Sequence, residues 1–229
     1  MAQIEAPLID PQQANAYDRW FLKMIRDPRD LAFGRVFLEL GFAMAVGLSM
    51  FVPGVWSLAF AAVYLVIWAN FFLDRYILML HCTSHRVLFK REYRALNKII
   101  PWVMAPFFGQ TPETYFSHHM GMHHPENNLS EDLSSTLKYH RGRFSHWLMY
   151  FADFFFLGPM KLPAYHARKG NKKMMRATIV GEYGWVLTMV GLAWINWQAT
   201  LTVFVAPVLI ARVLMMAGNW GQHAFVDAS

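Results

Sequence analysis

Ten histidines are spread unevenly through the 229 residues. His81 and His85 enclose Cys82, Thr83 and Ser84, while His118, His119, His123 and His124 fall within one run, His-His-Met-Gly-Met-His-His. His223 stands four residues after Asn219. Residues four apart lie on one helix face about a turn from each other. The pairs His81/His85, His119/His123 and Asn219/His223 can therefore each turn toward a common centre. Neutral imidazole is a strong ligand for iron, zinc or copper. Four imidazoles in seven residues would repel one another when protonated, and a shared metal removes that repulsion. Tetrahedral zinc takes three or four ligands, and a haem takes two histidines facing each other inside a bilayer. Six or more convergent nitrogens point instead to two metals, and a paired iron site fits best. His140, His146 and His166 stand singly and read as capping or interfacial residues.

The elements that must position these groups are membrane helices. The chain is 55% apolar with only 16% charged residues, against about 25% charged in an ordinary soluble domain. Four stretches are long enough to cross a hydrocarbon core of roughly 30 Å: residues 36–53, 55–73, 178–197 and 201–217. Pro53-Gly54 separates the first two and Asn196-Trp197-Gln198 the last two, so the expected fold is an all-α integral membrane protein of two helical hairpins. Of 21 Lys and Arg residues, five lie at or before Arg35 and fifteen between Arg75 and Arg176, with none in either tight turn. The positive-inside rule then puts the N-terminal segment, residues 1–35, and the central region, residues 74–176, on the cytoplasmic side. Arg75 and Arg212 snorkel to that interface. Glu39 and Glu182 lie near or within spans. If the second span continues as a helix to His85, it covers about 31 residues, roughly 46 Å. Its histidines then stand just outside the membrane, level with Asn219 and His223. Residues 99–104 and 146–151 are too short to span and read as interfacial or re-entrant helices.

Several classes are excluded. The net charge of +6 flanks apolar spans and forms no groove-reading motif, so no nucleic-acid partner is expected. The single cysteine, Cys82, cannot form an intrachain disulfide. Residues 1–30 lack the short apolar core of a signal peptide, and Asp27-Pro28-Arg29-Asp30 reads as a turn before the first hydrophobic run.

The order and spacing of these motifs resemble the membrane fatty acid desaturase family over essentially the whole chain. The family's first box, two histidines with three or four residues between, is similar to His81-Cys-Thr-Ser-His85. Its second, a histidine, two or three residues and a His-His pair, is similar to His119-Met-Gly-Met-His123-His124. Asn219-Trp-Gly-Gln-His223 looks like the family's Asn and His that serve the metal pair, the Asn through a water. The resemblance implies a single desaturase-like domain over residues 1–229. It implies two irons held by His81, His85, His119, His123, His124 and His223, with His118 a further candidate ligand and O2 as co-substrate. The family's third box, ending in His-His, does not occur within these residues, so the chain is expected to be C-terminally incomplete. The implied reaction is oxygen-dependent desaturation of a fatty acyl chain. Hydroxylation or ketolation of an alkane, lipid or carotenoid by the same superfamily is the alternative, and a non-catalytic homologue without a complete metal site is the third reading. No Gly-rich nucleotide loop or cysteine cluster is present, so electrons are expected from a separate carrier such as cytochrome b5 or ferredoxin. The basic stretches 86–98 and 168–176 could dock an acidic carrier, and ordinary positive-inside topology explains them equally well. Among Glu113, Glu126, Glu131 and Asp132, one or two are expected to orient ligand imidazoles, with Glu126 favoured.

Overall fold

The computed structural model describes residues 13–225, and its regular elements are helices. Among these residues the only β pairing is an isolated bridge between Ile25 and Phe89. The chain resolves into two compact units with the boundary between Met104 and Ala105, inside the central region of the sequence.

The first unit begins with α1, Ala16–Met24. Asn15 and Asp18 form a reciprocal capping box at its start. The buried Asp18 carboxylate also accepts from Arg35 Nη2 at 2.8 Å. Asp27 then accepts from the Arg29 amide at 2.9 Å and caps a short 3-10 turn, Pro28–Asp30, that leads into α2, Leu31–Ser49. Proline at the first helical position suits this entry, because it lacks only an amide that has no helical partner there. The helix thus starts ahead of the expected position 36 and ends four residues before Pro53. Hydropathy misses the start because Arg29, Asp30 and Arg35 dilute the first turns. The end falls ahead of Pro53, which has no amide to bond back to the Ser49 carbonyl and so cannot carry the helix on.

After Ser57, whose hydroxyl accepts from the Phe60 amide, helix α3 runs unbroken over Leu58–His85. Its 28 residues span about 42 Å, so the expected extension of the second span to the histidines is present. One turn, Trp68–Phe72, is π-helical: the Leu73 amide reaches back five residues to the Trp68 carbonyl. An ion pair between Glu39 and Arg75 ties α2 to α3. Residues 99–104 form a single π turn after a 3-10 helix, Arg91–Lys98, rather than a regular interfacial helix.

In the second unit, α4 covers residues 114–126 and α5 is Phe144–Ala152. A π turn, Asp153–Leu157, joins α5 to α6, Gly158–Arg168. The remaining helical run, Lys172–His223, is 52 residues long but is not straight. Asn196 leaves the helical region with φ −156° and ψ 97°, and its Oδ1 accepts from the Ala199 amide at 3.0 Å. Helix α7, residues 172–195, therefore ends there and α8, residues 197–223, restarts under an asparagine cap. Glu182 and Arg212 are thirty residues apart, which would be about 45 Å along one straight helix, yet they form an ion pair at 3.0 Å. The rings of Trp185 and Phe204 also meet, 5.2 Å between centroids. Both contacts require α8 to fold back antiparallel to α7, and the expected turn at 196–198 is a break at one residue. Glu182 Oε1 also accepts from the buried Thr111 hydroxyl at 2.6 Å. Gly181 permits that approach: a Cβ there would lie 1.8 Å from the Pro112 carbonyl oxygen.

Among the described residues, three helical stretches are thus long and apolar enough to cross a membrane, Pro28–Ser49, Leu58–His85 and Lys172–His223, and the last is doubled on itself.

Candidate metal centre

In the first unit, His81 and His85 occupy the last turn of α3, exposed, with ring centroids 4.9 Å apart. Four-residue spacing on an α-helix accounts for their approach. Arg86, the next residue, donates to Asp27 at 2.7 Å and to Asp30 at 2.6 Å, which ties this helix end to the start of α2.

In the second unit the run 118–124 lies on α4, and its middle is a π turn, His119–His123. The His124 amide hydrogen-bonds to the His119 carbonyl, five residues back. The period of this turn is wider than the 3.6 residues assumed from spacing, so residues five apart align. His118 and His123 stack with 9° between their planes and 6.1 Å between centroids. His119 and His124 bring their Nε2 atoms to 3.1 Å. The expected partners His119 and His123 are 6.0 Å apart between centroids. His223, from the end of α8, meets His123 edge-on at 5.1 Å. Five imidazoles of this unit are therefore neighbours, with His123 at their middle.

The loop after α4 holds His123 in place. Asn127 and Asn128 take left-handed backbone at φ 48° and 62°, which asparagine tolerates better than most residues. The turn they make carries Asp132 beneath the imidazole, 1% exposed. Its Oδ2 meets His123 Nδ1 at 2.7 Å and accepts from the Asn128 amide at 2.9 Å. Its Oδ1 accepts from the Ser134 amide at 2.8 Å and the Ser134 hydroxyl at 2.7 Å. Burial pushes this carboxyl upward, but the bonds from His123 and Ser134 outweigh it and hold its pKa down at about 2. An ionised carboxylate only accepts, so His123 carries its hydrogen on Nδ1 and keeps the Nε2 lone pair for a ligand bond.

His118 adds a different signature. Its Nε2 is buried without a hydrogen-bond partner. Burial above all, and then the neighbouring His123, lowers its pKa to about 4. A buried imidazole held neutral with an orphaned nitrogen is what a nitrogen-ligated metal requires, so the residues present fit the implied metal. Asn219 Nδ2 donates to the Ser134 carbonyl at 3.2 Å and to the Tyr150 hydroxyl at 2.5 Å, which fixes the amide one helical turn before His223.

Two expectations change. Glu126, the favoured orienting carboxylate, bonds to the Tyr165 hydroxyl at 2.5 Å and to Lys169 at 2.8 Å, and Asp132 takes the place on His123. His166, expected to cap a helix or sit at an interface, is 1% exposed inside the unit. Its Nε2 lies 2.8 Å from Ser117 Oγ. Nothing in the sequence distinguished it from His140 and His146, which do act locally: the His140 amide donates to His146 Nδ1 at 3.0 Å. Glu113 is the left-handed residue that opens α4, and Glu131 makes a long surface pair with Arg168 at 4.0 Å.

The sequence matches the family described as fatty acid desaturase over residues 54–229, and the chain belongs to that family. No curated protein and no solved structure matched it.

Proposed function

We propose that this chain is a membrane-embedded acyl desaturase whose histidines hold a pair of irons. The ligand set is His81, His85, His119, His123, His124 and His223, joined by Asn219 through a water and by His118. When bound, the metal pair supplies activation of O2 and removal of hydrogen from an unactivated methylene, which no acid or base side chain can perform. The chain's own residues prepare the ligands. Asp132 keeps the proton of His123 on Nδ1, Tyr150 and the Ser134 carbonyl orient Asn219, and the π turn gathers His118 with His123 and His119 with His124.

The observation that carries this reading is the buried Asp132 carboxylate on His123 amid four other imidazoles. A buried, ionised carboxylate set on one imidazole nitrogen is the arrangement that orients metal-bound histidine. Family membership supplies the reaction class. The topology proposed with it is four crossings as two hairpins, with residues 1–35 and 74–176 on the cytoplasmic side. The substrate is a membrane lipid or acyl chain, and electrons come from a separate carrier such as cytochrome b5 or ferredoxin. That carrier would meet exposed basic residues such as Arg91 and Arg94. Elemental analysis of the detergent-purified chain, beside His119→Ala/His123→Ala, tests the reading. About two irons per chain, lost in the double variant, are expected. Iron-free protein in both cases overturns the proposal.

A further inference from the structure

The second unit contains a buried polar chain that none of the roles above uses. His166 on α6, Ser117 on α4 and Thr178 on α7 are 1%, 1% and 0% exposed. His166 Nε2 lies 2.8 Å from Ser117 Oγ and 3.2 Å from the Ser117 carbonyl oxygen. Ser117 Oγ lies 2.6 Å from Thr178 Oγ1, which in turn donates to the Met174 carbonyl at 2.9 Å.

The direction of every proton follows. A carbonyl oxygen only accepts, so the His166 hydrogen is on Nε2. Ser117 Oγ therefore accepts from His166 and keeps its own hydrogen for Thr178. Thr178 accepts that bond and spends its hydrogen on Met174. The relay runs one way, His166 to Ser117 to Thr178 to Met174, and joins three helices. At its head, His166 Nδ1 is buried with no partner. An unmet buried acceptor gains nothing from its surroundings, so the ring is held by what its Nε2 edge does.

Both ends of the relay also touch the histidine run. Ser117 directly precedes His118. Gly121, in the middle of the π turn, packs so closely that an added Cβ would lie 2.3 Å from Met174 Sδ and 3.0 Å from His166 Cε1. The corner between α6 and α7 is closed by the Asn171 amide donating to the His166 carbonyl at 2.8 Å. His166 and Met174 thus grip the run at its start and again at its centre.

We propose that His166 is a positioning residue for the second box: through Ser117 and Thr178 it fixes the rotation of the π turn and so the aim of His118, His119, His123 and His124. This rests on the metal-centre reading above. The test measures Co2+ affinity and the visible Co2+ spectrum in detergent-purified protein. It adds hydrogen exchange across residues 117–124 in the metal-free chain. His166→Phe keeps the bulk and removes the donor, whereas His166→Gln restores an N–H donor near the Nε2 position. The phenylalanine variant should lose about tenfold or more in affinity, the lower end for groups that orient ligands. Its spectrum should change and its 117–124 amides should exchange faster, and the glutamine variant should recover most of each. Thr178→Val, which breaks the relay at the far end and leaves His166 intact, should reproduce the loss if the phenylalanine variant fails to fold. Wild-type affinity, spectrum and exchange in His166→Phe overturn the proposal, as does equal loss in both His166 variants. If the wild-type chain binds no Co2+, the metal reading falls and the exchange arm alone decides the relay.

Discussion

Replacing Asp132 by asparagine removes one charge and almost no volume, yet its effect should reach the metal. Each carboxylate oxygen accepts twice: Oδ2 from His123 and the Asn128 amide, Oδ1 from the Ser134 amide and hydroxyl. An asparagine can present only one oxygen. Kept toward Ser134, it preserves two bonds and turns an NH2 group toward His123. The imidazole must then move its hydrogen to Nε2 so that Nδ1 can accept, and the nitrogen that would bind metal loses its lone pair. Loss of an orienting partner typically weakens metal affinity 10–100-fold, about 1.4–2.7 kcal/mol. Titration with Fe2+ or Co2+ in detergent reads this directly. The Asn128 amide, left facing a donor, should lower the melting temperature of the metal-free protein as well. Asp132→Asn with wild-type affinity would show that this carboxylate does not set the tautomer of His123, and the reasoning would fail.

Other expectations follow from the same contacts. His118 is held neutral with its pKa lowered from 6.5 to about 4, so below pH 6.5 the unfolded chain binds the proton that the folded one refuses. Metal-free protein should therefore lose stability between pH 6.5 and 4, by up to roughly 3 kcal/mol. His118→Phe should flatten that slope in melting curves. Gly181→Ala drives a Cβ into the Pro112 carbonyl and should cost about 1–3 kcal/mol, read as a lower melting temperature in detergent. Arg212→Met leaves Glu182 buried without its cation and should cost roughly 3–5 kcal/mol. The double change with Glu182→Leu should recover most of it, and a double-mutant cycle measures the coupling.

Much of the architecture was legible from hydropathy and spacing. The apolar runs, the turn at Asn196 and the helical continuation to His85 all follow from local rules. What spacing could not show is the extra residue in the π turn. Four-residue arithmetic pairs His119 with His123, and those rings do lie 6.0 Å apart, but it does not predict His118 stacking on His123 at 6.1 Å or His119 Nε2 meeting His124 Nε2 at 3.1 Å. A π turn comes from packing around it, here Gly121 against His166 and Met174, and carries no composition of its own. Glu126 was favoured over Asp132 because it is nearer to His124 in sequence. The left-handed asparagines reverse that order by curling the chain so that Asp132 returns beneath His123. His166 reads as a solitary interfacial histidine in sequence because its partner Ser117 is 49 positions away, and Ser117 in turn is 61 positions from its own partner Thr178.

The wide turn at His119–His123 also makes the second box a matter of phase. One residue fewer between His119 and His123 would let an ordinary α-helix connect the same ends, because four residues at 3.6 per turn reach nearly the same angle as five in the wider turn. Removing Met120 would keep every histidine and every charge, and His119 would still face His124, now four positions on. The same deletion from a regular stretch of helix would turn everything downstream by about 100°. The box is thus written in residue count as well as in residue identity, and the wide turn is where one residue can be absorbed without turning the ligands away from each other.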